Sequence, residues 1–206
     1  MTSYKRRGVN DILLDPDNTV LTLIDYQPMQ IGSVNSMNRS ELVHNTEIVI
    51  KMAKLYNIPI ILSTVNVENG RNQDTIPRLR NAIGLEVPNY DRTSINAWED
   101  KEYVEALKAT GRKKILMLAL WTEACLAFPA IDALAEGFEV YPIVDAVGGT
   151  SLIAHETALR RVEQSGAKLV SIAQLGCELQ RDWNREETVP GFSKIMSEFG
   201  AFTNFG

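Results

Sequence analysis

Residues 114–137 read KILMLALWTEACLAFPAIDALAEG. After its lysine, the segment Lys114 to Leu120 is a continuous apolar run of strand length. From Glu123 to Glu136 the apolar residues recur at helical spacing. The pattern stops at Gly137, where a left-handed helix C-cap is expected. An apolar strand running straight into a helix is half of a βαβ unit. The same alternation recurs outward from this stretch. Asn18 to Asp25 (NTVLTLID), Ile58 to Val65 (IPIILSTV) and Glu139 to Asp145 (EVYPIVD) are strand-like, and Ala167 to Ser171 (AKLVS) is a weaker fifth. Helical patterns cover Ser40 to Tyr56, with Ser40 as the expected N-cap, then Trp98 to Thr110 and Ser151 to Ser165. The last two stop at Gly111 and Gly166. This is an α/β chain with a mainly parallel sheet covered on both faces.

A chain of 206 residues that is 45% hydrophobic can bury one sizeable core. Residues 1–206 are therefore expected to form a single domain. About 174–206 lacks a clean βα pattern and is read as a C-terminal packing or interface extension. The formal net charge is −5, and the only basic run is the short Lys5-Arg6-Arg7, so no nucleic-acid partner is expected. No apolar run reaches the ~18 residues that span a bilayer, so no membrane partner is expected either. The opening segment, MTSYKRRGVNDILLDPDN, has no apolar core of the kind a signal peptide carries. Two cysteines, Cys125 and Cys177, without a CxxC pattern suit a reduced, cytoplasmic setting.

In open α/β sheets ligands bind beyond the carboxyl ends of the strands. Those ends carry Asp25-Tyr26-Gln27, Asn66, Asp91-Arg92, Trp121-Thr122-Glu123 and Asp145. Cys125 follows one turn into a helix, where the free N–H groups and the dipole favour a thiolate. It is equally a small apolar residue of a type often buried. Asp25 could terminate a strand, or accept the thiol proton if strand 18–25 neighbours strand 114–120. Asp145, followed by Ala-Val-Gly-Gly, reads as structural, and Cys177 as buried structure. Gln27 and Asn66 are candidate pocket residues or loop filler. Trp98 is a candidate pocket wall or a core aromatic.

The LIDYQ strand end, the DRTSINAW segment, TEAC before a helix, EGFEVYPIVDAVGG and CELQRDW stand in an order and spacing that resemble the isochorismatase-like cysteine hydrolase family. Its YcaC-type branch has similar INAW, TEVCVAFPA and CELHRDW stretches. The resemblance runs from about residue 15 to 195. It implies a three-layer αβα fold with a six-stranded, mainly parallel sheet. It also implies an aspartate, basic residue and cysteine triad, which falls by position on Asp25, Arg92 and Cys125. The basic residue is usually lysine. Arg92 departs from that, and a guanidinium holds charge but does not exchange protons. The resemblance further implies a non-proline cis peptide at Leu120–Trp121 and an oxyanion hole from the N–H groups of Trp121 and Cys125. Trp121 is bulkier than usual there. It is expected to narrow the substrate pocket or to offer its indole N–H.

Metal-binding relatives carry histidines after the second strand, whereas Ser63 to Asn69 (STVNVEN) has none, so no metal and no cofactor are expected. Of the two histidines, His44 lies on a predicted helix, and His155 reads as a helix-start hydrogen bonder. The resulting expectation is a metal-independent cysteine hydrolase of a small amide or related C–N substrate, acting through a thioester. The alternative is a weak or inactive relative that binds small molecules or senses redox state. The family's habits, with the apolar stretch Phe192 to Phe205, imply a homo-oligomer with eight subunits as one option.

Overall fold

The computed structural model describes residues 11–202. Five parallel strands form one sheet: β1 (Thr19–Ile24), β2 (Ile60–Val65), β3 (Asn89–Arg92), β4 (Lys114–Ala119) and β5 (Glu139–Pro142), in the order β3-β2-β1-β4-β5. The chain starts in the middle of the sheet, winds outward to β3, then crosses back beside β1. Every residue of β1 and of β4 is buried. That explains why these two strands read as continuous apolar runs rather than alternating ones.

Among the described residues eight helices cover the sheet: α1 (Pro28–Gly32), α2 (Arg39–Leu55), α3 (Pro77–Ile83), α4 (Lys101–Ala109), α5 (Ala127–Ala135), α6 (Leu152–Gln164), α7 (Ile172–Gln180) and α8 (Val189–Phe199). α2 packs with α3, α7 and α8, while α5 packs with β5 and α6. Asn38 rather than Ser40 caps α2, its Oδ1 accepting from the N–H groups of Ser40 and Glu41. Gly111, Gly137 and Gly166 take the expected positive φ angles at helix ends, at 67°, 87° and 108°.

Three local readings change. The sheet has five strands, not six. The segment expected as a last strand does lie beside β5, with Lys168 N–H donating to Val140 O and Val170 N–H to Pro142 O. It joins only through a single bridge, Ile143 to Val170, because Pro142 offers no N–H and a 3₁₀ turn at Val144–Ala146 follows at once. β3 has no apolar run to mark it, since its four residues, NYDR, are polar and only Arg92 is buried; only its end, Asp91-Arg92, reads as a strand terminus. The C-terminal region is two helices whose Leu175, Leu179, Phe192, Ile195 and Met196 join the same core cluster as the sheet. Phe202 is partly exposed, and the end of the stretch Phe192 to Phe205 lies outside the described residues.

Candidate active site

β1 ends at Ile24, and Asp25 follows in a left-handed backbone conformation, φ 64°. Asp and Asn tolerate this region better than most residues, at a cost of order 1 kcal/mol. The Asp25 N–H donates to Ser63 O of β2, so its place is set by the sheet. Two strands away, Arg92 closes β3. Its Nη1 donates to Asp25 Oδ1 at 2.8 Å and its Nη2 to Asp25 Oδ2 at 2.7 Å. The same guanidinium also donates to Ser63 Oγ, Thr64 O and Ile95 O. Both side chains are buried, at 1% and 0% exposure, so this is a desolvated, two-pronged ion pair. Such a pair holds geometry firmly, whatever its net effect on stability.

On the other side of β1, β4 delivers Cys125. The Leu120–Trp121 peptide bond is cis. Thr122–Leu126 then forms a π-helical turn before α5 begins. Single π turns inside helices are rare and concentrate at functional sites. The Trp121 carbonyl accepts from both Ala124 and Leu126 N–H, which widens the turn. The Cys125 thiol lies near enough to the Asp25 carboxylate and the Trp121 backbone N–H for both to act on its proton affinity. Asp25, Arg92 and Cys125 thus converge at the carboxyl ends of β1, β3 and β4.

The electrostatics of the thiol differ from the sequence expectation. Burial pushes the Cys125 thiol well above the usual cysteine range. The neighbouring Asp25 charge pushes the same way, and Arg92 and the Trp121 N–H offset this only in part. The helix-end effect is outweighed because the thiol is nearly desolvated and the Arg92 charge is already committed to Asp25. Burial and the Asp25 charge therefore favour the neutral thiol over the thiolate.

The other candidate residues have different partners. The Gln27 amide is fully engaged: Nε2 donates to Val65 O and Gln73 O, and Oε1 accepts from Val65 N–H. Gln27 therefore pins the end of β2 to the following loop. Asn66 is left-handed, φ 63°, and its Oδ1 accepts from Asn69. The Trp98 indole packs edge-on against Tyr103 and Phe138 and donates to Glu136 Oε1 at 2.8 Å, as a core aromatic does. The Trp121 indole N–H donates to Gln30 O, so it is not free for a ligand. Asp145 caps α7 by accepting from Ile172 N–H. Cys177 is exposed, not buried. Its neighbours Leu175, Gly176 and Leu179 face inward, and helical spacing turns residue 177 outward.

A groove between the start of α5 and α6 is lined by Glu123, Ala127, Ile153, Thr157 and Arg161 among others, and by none of Asp25, Arg92 and Cys125. No group of His, Cys, Asp and Glu among the described residues is arranged to hold a metal ion. No described helix is long and apolar enough to cross a membrane.

An Isochorismatase domain profile matches residues 19–174. The chain belongs to the isochorismatase family. Within that family it is 32% identical to the probable hydrolase YcaC of Escherichia coli strain K12, over 93% of this chain and 96% of that protein. Its structure matches YcaC from Pseudomonas aeruginosa, carrying hexane-2,5-diol and covalent acrylamide, with a TM-score of 0.86 at 31% identity over 93% of this chain and 94% of that one. It also matches the E. coli YcaC structure, an octameric hydrolase of unknown specificity, with a TM-score of 0.81 at 30% identity over 95% and 100% of the two chains. The isochorismatase-like chain is thus of the YcaC type, and its class is hydrolase.

Proposed function

We propose that this chain is a metal-independent cysteine hydrolase that cleaves a small amide or related C–N substrate through a thioester. The observation that carries the reading is the Asp25 carboxylate, gripped on both oxygens by Arg92 and close enough to the Cys125 thiol to act on its proton. A neutral, buried thiol needs a base at contact distance, and only a fixed carboxylate in this site meets that need.

The steps balance as follows. Asp25 takes the Cys125 proton as Sγ attacks the substrate carbonyl carbon. The charge that develops on the carbonyl oxygen is received by the backbone N–H groups of Trp121 and Cys125. Protonated Asp25 then gives its proton to the leaving nitrogen as the C–N bond breaks, which leaves a thioester on Cys125. Water, deprotonated by Asp25, attacks the thioester, and the proton returns to sulfur as the acid departs. Arg92 moves no proton. It holds both Asp25 oxygens through two separate nitrogens, a planar grip that the single nitrogen of a lysine does not offer.

On this reading Trp121 bounds the substrate site, with its indole N–H bonded to Gln30 O. The reading extends to a homo-oligomer. The similar E. coli protein is octameric, and Met29, Ile95, Leu152, Ile153 and Trp183 leave large apolar surface on a single chain. The two free thiols suit the reducing cytoplasm.

The test uses a Cys177→Ser background, so that only Cys125 can be acylated. Incubation with a panel of small primary amides, read by intact mass, is expected to add the acyl group to Cys125 with loss of ammonia. Asp25→Asn is expected to abolish the adduct. Adducts that form equally well on Asp25→Asn, or none across the panel, would sink the hydrolase reading in favour of a small-molecule binder.

A further inference from the structure

The π-helical turn that carries Cys125 is held from outside by one segment, Gly148 to His155. Thr122, the first residue of the turn, is fully buried. Its N–H donates to Gly148 O at 3.0 Å. Its hydroxyl is hydrogen-bonded to His155 Nδ1 at 2.8 Å. Glu123 Oε1 accepts from the Thr150 N–H and hydroxyl. The approach is so close that a Cβ on Gly149 would sit 2.6 Å from Glu123 Oε2 and 3.1 Å from His155 Cβ. His155 lies in the first turn of α6, anchored by its own N–H to Ser151 O. It is the one side chain from α6 that hydrogen-bonds the turn among the described residues.

Thr122 precedes Cys125 by three residues, less than one turn of helix. The hydroxyl has no other bonding partner among the described residues. A freed Thr122 hydroxyl would rotate or shift to find one, and the turn would move with it. Catalysis by Cys125 needs Sγ on Asp25 and facing the Trp121 and Cys125 N–H groups at once, so a displacement of a fraction of an ångström matters.

We propose that His155 is a positioning residue for Cys125, acting through the Thr122 hydroxyl to hold the nucleophile-bearing turn in its reactive geometry. The inference rests on the cysteine-hydrolase reading. It assigns to His155 a role in reactivity beyond hydrogen bonding at a helix start. An asparagine at 155 can place an amide atom where Nδ1 sits and restore the bond. A glutamine places its amide where Nε2 sits and cannot do so without shifting.

The probe is iodoacetamide, a small amide that alkylates Sγ with loss of iodide. The measured quantity is the second-order rate constant at Cys125 by intact mass, in the full-length Cys177→Ser protein, alongside thermal unfolding. His155→Ala and Thr122→Val are each expected to slow labelling about tenfold. The double variant is expected to be no slower than either single one, because both remove the same bond. His155→Asn is expected to stay within about twofold of the parent, and His155→Gln to resemble His155→Ala. A folded His155→Ala protein that labels at the parent rate overturns the proposal, and so do additive losses in the double variant. If His155→Ala does not fold, the comparison of Asn with Gln decides: equal rates overturn the proposal. A parent thiol that Asp25→Asn leaves equally reactive overturns the hydrolase reading itself, and the His155 role falls with it. Asp25-dependent labelling that ignores every change at 155 overturns the His155 role alone.

Discussion

Replacing Arg92 with methionine should destabilise the protein far more than loss of an ordinary surface arginine. The Arg92–Asp25 pair is desolvated, at 1% and 0% exposure, and bonded at 2.7 and 2.8 Å. Methionine fills much of the same volume, so the chief consequence is a buried Asp25 charge with no counter-ion. Removing one partner of such a pair typically costs about 3–5 kcal/mol. The carbonyls of Thr64 and Ile95 lose a donor as well. For a chain of this length each kcal/mol moves the midpoint by about 2–4 °C, so the melting temperature should fall by roughly 6–20 °C. Urea unfolding at one fixed protein concentration measures the change directly, with the slope m checked for constancy. The companion variant Asp25→Asn/Arg92→Met removes both charges and keeps a residue that tolerates φ 64°. It should be more stable than Arg92→Met alone, while remaining unreactive at Cys125. A loss below about 1 kcal/mol in Arg92→Met, the range of solvent-exposed pairs, would refute the reasoning. So would stability losses that simply add in the double variant.

Because burial and the Asp25 charge raise the Cys125 thiol above the usual range, wild-type labelling by iodoacetamide should be nearly level from pH 6 to 9, with Asp25 taking the proton during attack. Asp25→Asn should be about a hundredfold slower at pH 7 and climb with hydroxide; a wild-type rate that climbs tenfold per pH unit would mean that free thiolate is the reacting species. Gly149→Ala must displace Glu123 Oε2 from 2.6 Å, so it should cost about 1–3 kcal/mol in urea unfolding and slow labelling at Cys125; unchanged values in both would contradict the close packing of the two segments. Asp91 accepts from Val67 N–H, Glu68 N–H and Thr64 Oγ1, and although burial acts in the other direction these bonds hold its carboxyl below the usual range. Its contribution is therefore present above about pH 4 and lost as pH falls through the lower folded value, so the stability gap between wild type and Asp91→Asn should shrink toward acid; a gap constant from pH 7 to 3 would exclude this account.

Much of the framework is local chemistry. β1 and β4 were legible because a strand buried on both faces needs an unbroken apolar run, and the runs 18–25 and 114–120 are that. The glycines at 111, 137 and 166 marked helix ends because a left-handed residue is needed there. The body of β3 gave no strand signal because Asn89, Tyr90 and Asp91 are only half-buried and carry no apolar run; only its end at Asp91-Arg92 was legible. Cys177 was misplaced because its side of α7 depends on where that helix begins, and the pattern did not mark the start. Position alone left Gln27 open as pocket residue or loop filler, and Trp98 as pocket wall or core aromatic. Their hydrogen bonds to Val65, Gln73 and Glu136 come from segments distant in the chain.

The order of LIDYQ, DRTSINAW and TEAC along the chain was enough to name Asp25, Arg92 and Cys125, since each closes or follows a strand and shared motifs can be read without coordinates. Their meeting was decided by the sheet order β3-β2-β1-β4-β5, which brings together residues 67 and 33 positions apart. The state of the thiol was likewise a tertiary matter. Helix-end position argued for an anion, but proton affinity depends on every charge and every lost water around the sulfur. Those are set by which side chains fold over it, not by its neighbours in the chain.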